Sequence, residues 1–194
     1  VVSGLDVAPG SGGAAFDRSM TFQDLNSHGD VLINTPLLPL GSTATARPST
    51  YVKPVGGAVV RVAGYGDVDP NTGGTFTSVV ALFLDDSGQV LFRATLTGGS
   101  TSSAFYAWRN GQPLRMIIAN GDVNPLGGTF TENFGTQTAR MNYAGLVMFP
   151  AGGSLWQNTE GGGTSVAVAA GSAAPAPMGG TFTALTIGPL GQGG

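Results

Sequence analysis

Asp67, Asp69 and Asn71 place three oxygen-bearing side chains at alternate positions of one short segment. Calcium-binding loops use carboxylate and amide oxygens at such a spacing, because the ion takes about six to eight oxygen ligands. The helix-loop-helix form of the loop also needs glycine at its sixth position and glutamate at its twelfth, where this sequence has Thr72 and Ser78. The three residues are therefore a calcium candidate, and no other cofactor is expected. The alternative is that the Asp side chains hydrogen-bond the backbone of their own turn.

Residues that could act as a catalytic acid, base or nucleophile are scarce. His28 is the single histidine, and the chain has no cysteine. Asp85 and Asp86 are neighbouring carboxylates, and glycosidases use two carboxylates about 5–9.5 Å apart. Asp85, however, opens an Asp-x-x-Gly phrase, where an Asp side chain commonly bonds its own backbone. Because no nucleophile stands beside a base, the sequence predicts a protein that is not an enzyme.

Tyr51, Tyr106, Trp108 and Trp156 recur along the chain, and this aromatic series has two interpretations. Exposed rings could form a face for stacking on sugars, with Tyr106, Trp108 and Trp156 as the candidates. Periodic aromatic residues in a repeat protein are more often part of the continuous core. The core interpretation is favoured, and sugar binding is kept as the alternative.

These residues belong to a phrase that the sequence repeats. Asp67 lies in a Gly-Asp-Val-Asp-Pro turn that ends in Gly-Gly-Thr-Phe, and copies occupy residues 6–16, 66–76, 121–130 and 171–182. Glycine pairs supply the positive backbone angles that tight turns need, and Thr-Phe-Thr is typical of a strand. We call this strand a. Six residues of the turns are expected to fix its geometry: Asp67, Asp122, Gly73, Gly74, Gly127 and Gly128.

Each repeat continues through three further strands. An Asn/Asp-x-x-Gly turn leads into strand b in the segments 26–33, 85–92 and 142–149. The aromatic residues Tyr51, Tyr106 and Trp156 mark strand c, and a glycine-containing turn joins it to an apolar strand d. The spacing from the strand c aromatic to the next turn is the same in all three copies. We therefore expect the same hairpin geometry in each.

The pattern predicts an all-β fold with almost no helix. It contains three four-stranded repeats of about 50–60 residues and a terminal strand, in a stacked blade-like or sandwich arrangement. The expected organisation is one all-β repeat domain over residues 1–194, with repeat 1 at about 5–65, repeat 2 at about 66–120, repeat 3 at about 121–170 and the terminal strand segment at 171–194.

Composition narrows the possible partners. Charged residues are 10% of the 194 residues and the net charge is −3, whereas a nucleic-acid footprint needs clustered Lys and Arg. No apolar run reaches the roughly 18 residues of a membrane span. Hydrophobic residues reach 41%, which is enough to build a core. We expect neither nucleic acid nor a membrane span.

The strand b phrases resemble those of bacterial extracellular tandem-repeat proteins that carry an Asn-x-x-Gly-x-x-x-Phe motif. The resemblance covers most of the chain, through three copies of the motif, although Asp85 replaces the Asn in one copy and Ile33 replaces the Phe in another. It implies an extracellular or cell-surface location and a repeat architecture, and it brings no catalytic residues. The Ser/Thr-rich segments 42–45 and 98–103 could carry O-linked sugar.

Both extremities of the chain are expected to fall inside a repeat, with a fragment of strand d at the start and a strand a at the end. An edge strand offers unpaired backbone groups, whose natural partner is another strand, and a head-to-tail contact that does not close produces a filament. We therefore expect a structural subunit of an extracellular bacterial filament, a homopolymer joined by strand pairing. The expected interface residues are Val1, Val2, Leu5, Phe182, Leu185 and Ile187. The alternative is a monomeric cell-surface module that binds carbohydrate or adheres to a surface.

Overall fold

The computed structural model describes residues 6–38, 47–142, 144–175, 177, 179–183, 185 and 187. Over these residues the chain folds into thirteen strands and no helix, which confirms the all-β prediction. The first sheet holds β1 (Ala15–Phe16), β2 (Thr21–Leu25), β3 (Val31–Leu38), β4 (Arg47–Lys53) and β5 (Val60–Gly64). The second holds β6 (Thr75–Leu84), β7 (Val90–Thr97), β8 (Ser103–Trp108) and β9 (Arg115–Ala119). The third holds β10 (Arg140–Met141), β11 (Val147–Ala151), β12 (Ser154–Thr159) and β13 (Gly163–Val168).

Each repeat forms one antiparallel sheet whose strands follow the order of the chain. The second sheet runs β6-β7-β8-β9 and the third β10-β11-β12-β13. The first sheet departs in one respect, because β1 and β2 both pair with β3. Strand a of the first repeat is thus split in two, and Asp17 closes the turn between the halves by accepting hydrogen bonds from the backbone N–H and hydroxyl of Ser19, both at 2.6 Å.

The strand c hairpins share the same irregularity. The pairing of strand c with strand d shifts by one residue just before the aromatic residue in every sheet: between Thr50 and Tyr51, between Phe105 and Tyr106, and between Leu155 and Trp156. A β-bulge increases twist and turns a side chain to a new direction. Its recurrence confirms that the hairpin has one geometry in all three copies and identifies equivalent residues across repeats.

The sheets stack face to face along the chain. We call the face of a sheet that carries the strand c aromatic its leading face, and the opposite face its trailing face. The leading face of the second repeat, with Phe92 and Tyr106, shares a buried cluster with Leu32 and Val52 on the trailing face of the first. In the same way, the leading face of the third repeat packs its aromatic residues on Leu91, Phe105 and Ala107 of the second. The repeats are therefore joined by two equivalent apolar interfaces.

An edge-to-face aromatic pair anchors each turn to its own sheet. The ring centroids lie 5.0 Å apart for Phe16 and Tyr51, 5.4 Å for Phe76 and Tyr106, and 4.9 Å for Phe130 and Trp156. All six rings are buried, and edge-to-face pairs add about 0.5–1.5 kcal/mol to the burial of their area. The Phe that ends the turn phrase is thus a core residue of the repeat that follows it.

Three further details differ from the sequence prediction. Strand a of the third repeat is reduced to the two residues of β10, because a turn begins at Asn133, whose carbonyl accepts a hydrogen bond from the N–H of Thr136 at 3.1 Å. In the described part of the expected terminal strand segment 171–194 no strand is formed, and Ala173 and Thr181 make an isolated bridge. Gly73 has the expected positive φ of 71°. Gly74 does not, and it is needed for close packing, because a Cβ there would lie 3.2 Å from the Cα of Gly99.

No helix in the described part of the chain is long and apolar enough to cross a membrane. Three interface candidates, Val1, Val2 and Leu5, and the Ser/Thr-rich segment 42–45 lie outside the described residues.

Candidate functional site

The turn phrase has the same two backbone hydrogen bonds in its copies at 66–76, 121–130 and 171–182. The N–H of Phe76 donates to the carbonyl of Asp67 at 3.0 Å, and the N–H of Gly66 donates to the carbonyl of Phe76 at 2.9 Å. Equivalent bonds link 121–130 and 171–182. The copy at 171–182, in which Ser172 replaces the Asp, therefore forms the same turn. The N–H of Phe182 donates to the carbonyl of Ser172 in its own chain.

Asp69 is fully buried within its turn, and four donors occupy its carboxylate. Oδ1 accepts from the N–H and the side-chain amide of Asn71, at 3.1 and 2.9 Å. Oδ2 accepts from the hydroxyl of Thr72 at 2.6 Å and from the hydroxyl of Tyr106 at 2.8 Å. Burial alone would raise the pKa of Asp69, but the bonds from Thr72, Asn71 and Tyr106 outweigh it and hold the pKa below its ordinary value.

Asp67 faces a different set of partners. Its Oδ1 forms an ion pair with Nη2 of Arg61 at 3.0 Å, and its Oδ2 accepts from the N–H of Gly64 at 2.9 Å. Burial raises the pKa of Asp67, and the Arg61 charge opposes that effect. The structure thus brings Asp69 and Asn71 together but turns Asp67 toward another strand.

This geometry bears on the calcium candidate. The oxygens of both carboxylates accept from protein donors, and the bonds of Asp69 to Asn71 and Thr72 support the alternative of a side chain bonded to its own turn. Within the described ranges, no group of three His, Cys, Asp or Glu residues stands close enough to hold a metal ion.

The Asn-x-x-Gly phrase is a hairpin turn closed by its first side chain. Oδ1 of Asp85 accepts from the N–H of Gln89 at 2.7 Å, just as Oδ1 of Asn142 accepts from the N–H of Leu146 at 3.0 Å. The glycine takes a positive φ, 77° at Gly88. Asp85 and Asn142 thus both close the turn through an oxygen acceptor, whereas the equivalent Asn26 also donates through Nδ2 to Oδ2 of Asp30 and to the carbonyl of Asp85.

The candidate catalytic residues lie within these turns. The N–H of His28 donates to Oδ1 of Asn26 at 3.1 Å, and the His28 side chain is exposed. Asp85 is 1% exposed and accepts from its own turn, while Oδ1 of Asp86 accepts from the N–H of Ser27 at 2.8 Å and so joins the first two repeats. All three residues thus take part in hydrogen bonds that close a turn or join two turns.

The aromatic candidates for sugar stacking are largely internal. Tyr106 is 0% exposed and Trp156 is 1% exposed, so neither ring presents a face to a ligand. Trp108 is half-buried and lines a small cleft between the first and second repeats, together with Val52, Pro54 and Val60. The core interpretation is confirmed for Tyr51, Tyr106 and Trp156.

A larger cleft, of about 580 Å³, opens between the second and third repeats. The second repeat contributes Gln89, Arg109 and Arg115, and the third contributes Glu160. Nη1 of Arg115 reaches across the cleft to Oδ1 of Asn158, at 2.9 Å. Sequence reasoning did not single out these residues. The available signal was a departure from the repeat, because Arg109 and Arg115 are equivalent to Pro54 and Val60 in the first copy.

Another cleft, of about 630 Å³, borders the first turn and contains Arg47, Arg61 and Tyr65. Arg61 is committed to Asp67 and to the carbonyl of Gly10. Arg47 lies over the ring of Tyr65, with its guanidinium carbon 5.1 Å from the ring centroid. The charges of this cleft are thus engaged by protein groups.

Comparison with known protein families gives a match. No curated protein and no solved structure matches the chain. The model of DUF7453, a family of unknown function, matches residues 1–153. That range spans the first two repeats and the third as far as the hairpin between β11 and β12. The chain therefore belongs to the DUF7453 family.

Proposed function

We propose that this protein is a structural subunit of an extracellular bacterial filament, in which copies of the chain join head to tail. The extracellular bacterial setting rests on the resemblance of the strand b phrases to exported repeat proteins. The geometry supports assembly through stacked sheets. It favours contact between sheet faces over pairing at Phe182, because Phe182 is already bonded to Gly171 and Ser172 of its own chain.

The supporting observation is the trailing face of the third sheet. The equivalent residues of the first two sheets, Leu32 and Leu91, are each 0% exposed because the next repeat covers them. On the third sheet the same position is Met148, which is half-buried, as is Leu155 on the neighbouring strand. This apolar surface continues two interfaces that already exist within the chain, and its proposed occupant is a second copy.

The second copy would present its first repeat. The leading face there is covered within one chain, because Ile33 and Tyr51 are 1% and 0% exposed. The residues that pack on it include Ala8, Ala14 and Met20. A head-to-tail contact would therefore form through the outer side of this N-terminal segment. Of the C-terminal residues expected at an interface, Phe182 and Leu185 are half-buried and Ile187 packs on the core of the third repeat.

The test is sedimentation and negative-stain microscopy of the full chain over a range of concentrations. We expect polymers that grow with concentration in the unchanged protein, and a monomer of 19.4 kDa for Leu155→Glu, because a carboxylate would have to be buried at the contact. The matched control is Leu126→Glu, since Leu126 is 56% exposed on a turn. A folded wild-type chain that stays monomeric at high concentration would refute the proposal.

A further inference from the structure

The cleft between the second and third repeats is built at one end of the second sheet. Arg115 lies opposite Ala107 in the register of β8 and β9, so both side chains project from the trailing face. Gln89 precedes β7 and is two residues from Leu91, which also faces the third repeat. Its side-chain oxygen comes close to the third repeat, because a Cβ on Gly145 would lie 3.3 Å from Oε1. One acceptor and two guanidinium groups thus meet at the repeat junction.

Three of the cleft residues carry buried polar atoms without hydrogen-bond partners. They are Oε1 of Gln89, Nε of Arg109 and Nη2 of Arg115. Gln89 is only 4% exposed, and most buried polar groups of folded proteins are paired. Burial lowers the pKa of Arg115, and the charge of Glu160 opposes that effect. Neither arginine forms an ion pair over the described ranges.

The equivalent cleft between the first and second repeats shows that the fold does not require these groups. Its volume is about 240 Å³, and Pro54 and Val60 stand where the larger cleft has Arg109 and Arg115. In the third repeat the same two positions are Thr159 and Ser165. Arg115 is therefore particular to one junction, whereas Arg109 lines both clefts and donates through Nη2 to Oγ of Ser87 at 2.7 Å.

We propose that this cleft binds an acidic sugar, with Arg109 and Arg115 on the carboxylate and Gln89 Oε1 accepting from a ring hydroxyl. Guanidinium groups suit carboxylates because their N–H donors match the two oxygens. A volume of about 580 Å³ lies in the range of small-molecule sites. Ala107 and Pro113 are apolar residues of the cleft lining. This inference is independent of filament formation.

The experiment is a titration of the isotope-labelled full chain, followed by the backbone amide shifts of Gln89, Arg109 and Arg115. The probes are glucuronate, glucose with hydroxyls but no charge, and acetate with the same charge but no hydroxyls. We expect saturable shifts with glucuronate and an affinity at least about tenfold weaker for each of the other two. Equal binding of glucuronate and acetate, or of glucuronate and glucose, would refute the assignment.

Variants taken from the other repeats test the residues while preserving the fold. Arg109→Thr with Arg115→Val should weaken glucuronate binding about tenfold or more. Gln89→Leu, which copies Leu146 of the third repeat, should weaken the binding of glucuronate but leave the binding of acetate unchanged. Arg18→Gln removes an exposed charge from the first repeat and should change the affinity less than twofold. Unaltered glucuronate binding by the folded double variant, or no saturation by about 50 mM, would overturn the proposal.

Discussion

The hydroxyls of Tyr51 and Tyr106 occupy equivalent places in two repeats but have different partners. Tyr106 donates to the buried carboxylate of Asp69 at 2.8 Å. The position equivalent to Asp69 in the first turn is Ala8, and the hydroxyl of Tyr51 is buried without a partner. Burial raises the pKa of both phenols, and at Tyr106 the bond to Asp69 adds to it. The two repeats therefore form a natural comparison for the value of one hydrogen bond.

Removing the two hydroxyls should have opposite consequences. Tyr106→Phe should lower the free energy of unfolding by about 1.5–3 kcal/mol, because it deletes a hydrogen bond to a charged acceptor. Tyr51→Phe should leave it unchanged or raise it, since a buried unpaired hydroxyl is replaced by hydrogen. Urea unfolding at neutral pH measures both. Equal losses in the two variants would contradict the assigned partners.

Asp69 should also make stability depend on pH. Its pKa is lower in the folded chain than in the unfolded one, so the unfolded chain binds the proton first as the pH falls. Its contribution is therefore complete at neutral pH and is lost as the pH drops from about 5 toward the folded pKa. Asp69→Asn should be less stable at pH 7 but show a flatter curve in acid. Asp67, whose pKa is raised, is present in both the unchanged protein and the variant. The difference between their plots of the free energy of unfolding against pH therefore isolates the contribution of Asp69.

Removal of metal ions tests the calcium candidate directly. Because the oxygens of Asp69 accept from Asn71, Thr72 and Tyr106, a chelator should leave the melting temperature unchanged, and added calcium should not raise it. Differential scanning calorimetry with and without EDTA makes the measurement. A rise in Tm that follows the calcium concentration would restore the metal site.

At the scale of the element, the Asn-x-x-Gly turn requires an acceptor and a positive φ. Asn142 accepts from the N–H groups of Ala144 and Leu146, both at 3.0 Å. Asn142→Asp should be tolerated, because Asp85 performs the same task in the second repeat. Asn142→Ala should lower the free energy of unfolding by about 1 kcal/mol. Thermal unfolding of the two variants distinguishes an acceptor requirement from an amide requirement, and equal loss in both would favour the amide.

Local residues made most of these elements predictable. The turn phrases and the strand c aromatic residues can be recognised from a few neighbouring residues, and they were enough to predict the three sheets. The split of the first strand a and the shortening of the third were not foreseen, because each depends on a single turn residue, Asp17 in the first repeat and Asn133 in the third. The bond of Tyr106 to Asp69 and the cleft of Arg109 and Arg115 depend on stacking between distant segments, which no local pattern encodes.

At the scale of the whole molecule, a polar side chain on strand b links each of the first two repeats to the next. Asn34 accepts from the N–H of Ala81 at 2.9 Å and donates to the carbonyl of the same residue at 3.3 Å. At the equivalent position, Arg93 donates through Nη1 to the carbonyls of Thr136 and Gln137, at 3.0 and 2.7 Å. The equivalent residue of the third repeat is Pro150, whose side chain has no hydrogen-bond donor. Each repeat is therefore stabilised by contacts with its neighbour in the stack, as in other repeat proteins.

Arg93→Ala tests this one-dimensional coupling. The variant leaves the carbonyls of Thr136 and Gln137 without their donor, and it should weaken the contact between the second and third repeats by about 2 kcal/mol. The contact between the first and second repeats keeps the bonds of Asn34. Hydrogen exchange should therefore accelerate in β11 and β12 and remain unchanged in β3 and β4, because local opening follows the weakened contact. Arg18→Ala, which removes an exposed charge from the first repeat, should alter neither pair of strands. Uniform acceleration across all three sheets in Arg93→Ala would show instead that the molecule opens as a single cooperative unit.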